Sequence, residues 1–127
     1  MPLDFITKNF LLTVKISEIV KYTEARLVSG ALTNDRNIEK AFSSDLMSDV
    51  LTLDEENILL ITGLANLQLV RTAEMADIHV VLLARGKPAS PEMIELAGEN
   101  GLVILETPFS MYKASGILYS KGLKAVY

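Results

Sequence analysis

The chain has no cysteine, no tryptophan and a single histidine among its 127 residues. Without cysteine there is no disulfide and no thiolate to bind zinc or an iron–sulfur cluster, so any redox centre must sit on a partner. Positive charge is scarce as well: 12 Lys and Arg against 16 Asp and Glu give a net charge of −4, and the basic residues are scattered. Sequence-independent affinity for nucleic acid comes from clustered Lys and Arg, so no nucleic-acid partner is expected. No apolar run approaches the length that spans a bilayer, and the start, with Asp4 and Lys8, lacks the basic-then-apolar order of a signal peptide. A cytoplasmic protein without a membrane partner is the expectation. Neither Gly-x-x-x-x-Gly-Lys-Ser/Thr nor Gly-x-Gly-x-x-Gly occurs, which removes support for nucleotide hydrolysis and dinucleotide binding.

What the chain does have is apolar surface. Hydrophobic residues make up 50% of it and the mean hydropathy is +0.31. A single domain of this length buries about two-thirds of its unfolded surface. A chain this apolar carries more such surface than one small core hides, so a homodimer is expected.

The second half has a regular pattern. Ile58 to Ile61, Ile78 to Leu83 and Leu102 to Leu105 are dominated by apolar residues, the pattern of strands covered on both faces of a parallel sheet. Each precedes a helical stretch: Leu67 to Ala76, then Glu92 to Glu99 with Ser90 as N-cap and Pro91 at the first position, then Phe109 to Lys121 with Thr107 and Pro108 in the same roles. Asn100-Gly101 and Gly122 supply left-handed C-caps. Such units give parallel strands joined by right-handed crossovers.

The first half is less regular. Leu11 to Val14 is a short apolar run, Ser17 caps a helix from about Glu18 to Thr23, and Ala25 to Val28 reads as a strand ending at Ser29-Gly30. Ala31 to Lys40 reads as a turn region, Ile38 to Phe42 as a further strand, and Ser43-Ser44-Asp45 as the cap of a short helix through Leu46, Met47, Val50 and Leu51. The fold class is therefore α/β, a single domain with a mostly parallel sheet flanked by helices and consecutive strand-helix units in the C-terminal half. Residues 1–10 form an N-terminal extension and 11–127 the domain.

From "VKISEIVKYTEARLVSG" and "DLMSDVLTLDEENILLITGLANLQLVRTAEMADIHVVLLARGKPASPEMIELAGENGLVILETPFSMYKASGIL" the chain resembles a DRTGG domain over roughly Val14 to Leu123. The Asp-Leu-Met-Ser-Asp-Val stretch, the Thr-Gly before a helix, the Lys-Pro-x-x-Glu-Met-Ile-Glu-Leu-Ala segment and the Thr-Pro-Phe helix start agree in order and spacing. Gly63-Leu64-Ala65 and Ala84-Arg85-Gly86 stand where such domains tend to have Gly-Asp-Arg and a Thr-Gly-Gly-like turn. The resemblance implies a fold similar to the N-terminal domain of HPr kinase and a non-catalytic α/β accessory domain that dimerises and regulates or assembles other enzymes. Domains of this family occur attached to phosphotransacetylases and CBS-containing inorganic pyrophosphatases, and small stand-alone members accompany iron-only hydrogenase systems.

One candidate site stands out. Ligands of open α/β sheets favour the C-terminal ends of the strands, where helix N-termini attract anions. Thr62, Gly63, Asn66, Arg85 and Thr107 fall at such ends and would converge on a small anionic metabolite or nucleotide. The plainer alternative, which the residues favour, is that Gly63 supplies a permissive turn, Asn66 and Thr107 cap helices, and Arg85 is a solvated cation. Asp45 and Asp49, four apart, would share a helical face, with capping and a solvated acidic surface as their expected roles. His79 has no metal-binding partners nearby in sequence and reads as a packed or edge residue. The hydroxyls of Ser110, Tyr112, Tyr119 and Ser120 have no neighbouring histidine to activate them, and Phe109, Tyr112 and Ile117 read as a buried stripe. No catalytic residues, no metal and no cofactor are expected.

Overall fold

The structure is a computed structural model describing residues 13–32 and 35–127. The extension expected over 1–10, the Leu11-Leu12 part of the first apolar run and Thr33-Asn34 of the expected turn lie outside these residues. In chain order the first half contains β1 (Val14–Lys15), α1 (Ile16–Thr23), β2 (Arg26–Ser29), β3 (Asn37–Ile38), β4 (Lys40–Ser43) and α2 (Met47–Val50). The second half contains β5 (Ile58–Thr62), α3 (Leu67–Met75), β6 (Val80–Leu83), α4 (Pro91–Asn100), β7 (Val103–Glu106), α5 (Met111–Ser120) and β8 (Lys124–Ala125).

The apolar strands β5, β6 and β7 form the middle of a six-stranded sheet of order β2-β7-β6-β5-β4-β8. They are parallel neighbours, with Leu60 beside Val81 and Val81 beside Ile104. Successive side chains point to opposite faces, so Leu60, Val81 and Ile104 enter one apolar cluster and Leu59, Val80 and Leu82 the other. On the first face α2, α3 and α4 contribute Val50, Leu69 and Met93; on the second α1 and α5 contribute Ile19, Ala114 and Leu118. The expected α/β domain with a mostly parallel sheet is what the chain forms.

The helix caps follow the sequence in two cases and depart from it in three, the first departure being α2, which has Leu46 at its N-cap and no side-chain cap bond in place of the expected Ser43-Ser44-Asp45 cap. Ser90 Oγ accepts from the Met93 N–H at 3.2 Å with Pro91 at the first position, and Asn66 Oδ1 accepts from the Leu69 N–H at 3.0 Å. α5 starts later than expected, capped by Ser110, which accepts from the Lys113 N–H. Ala114 and Leu118, one turn apart, then face the sheet, and Tyr112 stands 90% exposed on the outer side instead of in a buried stripe. In α1 the expected cap, Ser17, lies inside the first turn, and the Lys15 N–H bonds Glu18 Oε1 at 3.0 Å. Ser17 instead bonds the Asp35 carboxylate through both its N–H and its hydroxyl.

The strand expected over Ile38 to Phe42 is divided. β3 pairs with β1 in an antiparallel ladder of its own, inside the stretch expected to be a turn, while β4 runs parallel to β5. The division falls at Glu39, where the chain leaves the ladder: Ile38 is 1% exposed in the α1 and α5 cluster, and the Glu39 N–H reaches the Asn57 carbonyl at 3.1 Å. β2 closes one edge of the main sheet antiparallel to β7, and β8 closes the other parallel to β4.

Candidate strand-end site

Because β4, β5, β6 and β7 are parallel, their C-terminal ends share one edge of the molecule. The loops there are stitched by backbone bonds: Ser44 N–H to the Ile61 carbonyl at 3.0 Å, Ala84 N–H to that of Thr62 at 2.9 Å, and Arg85 N–H to that of Phe109 at 2.7 Å. These four strands are neighbours in the order of the chain, so the sheet has no reversal between them and no crevice of the doubly wound kind. Whatever the edge binds is held by its loops.

Thr62 is fully buried, and its hydroxyl donates to Asp45 Oδ1 at 2.9 Å while accepting from the Leu64 N–H at 3.1 Å. The Gly63 N–H donates to the same Asp45 oxygen at 2.7 Å. An oxygen bearing negative charge thus sits where two donors converge. Asp45 precedes α2, which starts at Met47, so it does not share a helical face with Asp49 as the spacing implied.

The expected role of Gly63 is corrected. Positive φ is found at Gly30, Gly86, Gly101 and Gly122, not at Gly63. A Cβ on Gly63 would stand 2.6 Å from Arg85 Nη2, so the missing side chain leaves room for the guanidinium. Arg85 itself takes the left-handed conformation, with φ 65. That conformation costs a residue with a side chain roughly 1–2 kcal/mol. Among the described residues no carboxylate lies within 4.0 Å of the Arg85 guanidinium.

The fold therefore brings Thr62, Gly63 and Arg85 together. Asn66 sits at the start of α3 as its cap. Thr107 points inward: it is 1% exposed, its hydroxyl donates to the Thr23 carbonyl at 2.6 Å, and it accepts from the Phe109 N–H at 3.2 Å. It fastens α1 to the end of β7. The residue the sequence did not place in the site is Asp45. Its signal was the parallel register, which sets Ser43 beside Ile61 and so carries Ser44-Asp45 alongside Thr62-Gly63.

Away from this edge, His79 lies just before β6 with its Nε2 3.3 Å from Asp77 Oδ1. Burial pushes the Asp35 carboxyl up, but the Ser17 hydroxyl and N–H, the Lys15 charge and the Ile16 N–H outweigh it and hold the group below its ordinary pKa of 3.8. On α5, Tyr112 and Tyr119 are 90% and 69% exposed on one outward face, and nothing lies within 4 Å of a Cβ built on Gly116 between them. Among the described residues no group of three or more acidic or His side chains is placed to hold a metal, and no helix is long and apolar enough to cross a membrane.

A three-layer α/β fold with one antiparallel edge strand is the class these elements define. In fold the chain is similar to the crystal structure of the CBS and DRTGG domains of the regulatory region of Clostridium perfringens pyrophosphatase, complexed with its activator diadenosine tetraphosphate. The TM-score is 0.73 at 18% sequence identity, over 90% of this chain and 50% of that one. This chain thus spans about half the length of that structure's chain. No protein-family model and no curated protein matches. The structural likeness agrees with the resemblance in sequence, and the fold is DRTGG-like.

Proposed function

We propose that this chain is a non-catalytic regulatory and assembly module, acting as a cytoplasmic homodimer on a metabolic or redox enzyme. The observation that carries the reading is the likeness in fold to part of an enzyme's regulatory region. The outward face of α5 supports self-association: two exposed tyrosines flank an open glycine, and an antiparallel copy of the helix would lay Tyr112 against the partner's Tyr119 across Gly116. The resemblance in sequence extends the proposal to iron-only hydrogenase systems, where the redox centre would sit on the partner. Sedimentation at micromolar concentration is expected to give twice the 13.9 kDa chain mass. Tyr112→Glu with Tyr119→Glu is expected to give a folded monomer. A monomeric parent removes the dimer.

A second reading is favoured by the Arg85 guanidinium, which lies against Gly63 without a carboxylate partner among the described residues: a sensor domain that binds a small anionic metabolite or nucleotide at Thr62, Gly63, Asn66 and Arg85, with Thr107 holding the edge in place. Such a ligand stabilises the folded state by mass action. In a thermal-shift screen of nucleotides and small phosphates, a saturable rise in melting temperature that disappears in Arg85→Ala is the expected result. No rise with any of them removes the sensor.

A further inference from the structure

Asp45 reaches away from its own helix. It is exposed ahead of the four-residue α2, yet one carboxylate oxygen takes both the Thr62 hydroxyl and the Gly63 N–H, at 2.9 and 2.7 Å. The Thr62 side chain is fully buried, so its donor is fixed in direction. Next to these donors a left-handed backbone lays the Arg85 guanidinium against Gly63, without a carboxylate partner among the described residues. Two oriented neutral donors beside a guanidinium make a receptor for an anion, and the chain's own carboxylate occupies the donors.

We propose that Asp45 is an internal stand-in that keeps the Thr62, Gly63 and Arg85 site closed until a phosphoryl group of a phosphate-bearing metabolite displaces it. The proposal deepens the sensor reading and rests on it. A tethered carboxylate competes at high effective concentration, so the apparent affinity for ligand falls with the fraction of time the site is open. A phosphoryl group carries more charge and more acceptor oxygens than a carboxylate: one oxygen can replace that of Asp45 while others accept charge-assisted bonds from arginine. Asp45 sits in the turn where the Leu46 N–H bonds Ser44 Oγ at 3.0 Å, and Leu46 is 58% exposed. Releasing Asp45 loosens that turn, so ligand binding alters an apolar surface that a partner can read.

Calorimetric titration of the full chain with inorganic pyrophosphate tests this. The parent is expected to bind weakly, Arg85→Ala to lose about tenfold or more, and Asp45→Ala to gain about tenfold. Asp45→Asn keeps an acceptor for the Gly63 N–H and is expected to gain in the same direction, which preserves the test if the alanine variant does not fold. If the parent binds through Arg85 but neither Asp45 variant binds more tightly, Asp45 is a structural tie and the proposal is overturned while the sensor reading stands. If neither the parent nor the Asp45 variants bind, both fall.

Discussion

From Ile58 to Glu106 the three strands are each paired on both sides, whereas from Thr13 to Asn57 the chain forms strands of two to four residues divided between two sheets. In the later region β5 and β6 are buried throughout and the side chains alternate between two apolar clusters. The earlier region also buries residues such as Ile19 and Ile38, but its segments are fastened by particular polar bonds. Ser17 holds Asp35, Asp45 holds Thr62 and Gly63, and the Thr23 carbonyl receives the Thr107 hydroxyl. Burial is non-directional and fills the middle of the sheet; hydrogen bonds are directional and decide where the surrounding pieces sit. The candidate site lies on the seam between the two regions, with Asp45 from one and Thr62, Gly63 and Arg85 from the other.

The largest test of that contrast is Leu82→Ala. Leu82 is fully buried in β6, and losing its side chain is expected to cost about 2–5 kcal/mol in transfer and cavity terms. Urea unfolding measures it, and a loss under about 1 kcal/mol would break the claim that burial holds the middle of the sheet. Next is Thr107→Val, which keeps the shape and removes the bond to the Thr23 carbonyl. Leaving that buried acceptor and the Phe109 N–H unpaired is expected to cost about 1–3 kcal/mol. No measurable loss would mean that the bond between Thr107 and the end of α1 does not hold that helix to the sheet.

Smaller effects sharpen the picture at the seam. Arg85→Gly relieves a left-handed backbone and is expected to raise stability by about 1 kcal/mol or less, while abolishing any response to phosphates. A loss of stability would show that the guanidinium against Gly63 is itself a fold-holding contact. The smallest effect concerns acid. The folded pKa of Asp35 is depressed below 3.8, so its contribution is present above that value and is lost as pH falls through the folded pKa. Asp35→Asn is expected to flatten the fall in stability between about pH 5 and about pH 2 relative to the parent, read by urea midpoints. Identical slopes in the two proteins would remove Asp35 as an acid-sensitive tie.

The sequence alone determined the parallel middle of the sheet, because short, mostly apolar runs separated by capped helices leave few other ways to bury both faces of a strand. It determined the Ser90-Pro91 start of α4 and the Asn66 cap of α3, since a cap and the amide it serves lie three residues apart. Tertiary structure decided what depends on residues distant along the chain. The Asp45 bond to Gly63 spans 18 positions and the Thr107 bond to Thr23 spans 84, and no local period records either. The reason for Gly63 was hidden in the same way: the side chain that fills its empty space belongs to Arg85, one strand over. Periodic burial can be read from the order of residues, whereas a directional contact between loops exists only after the strands beneath them have fixed their register.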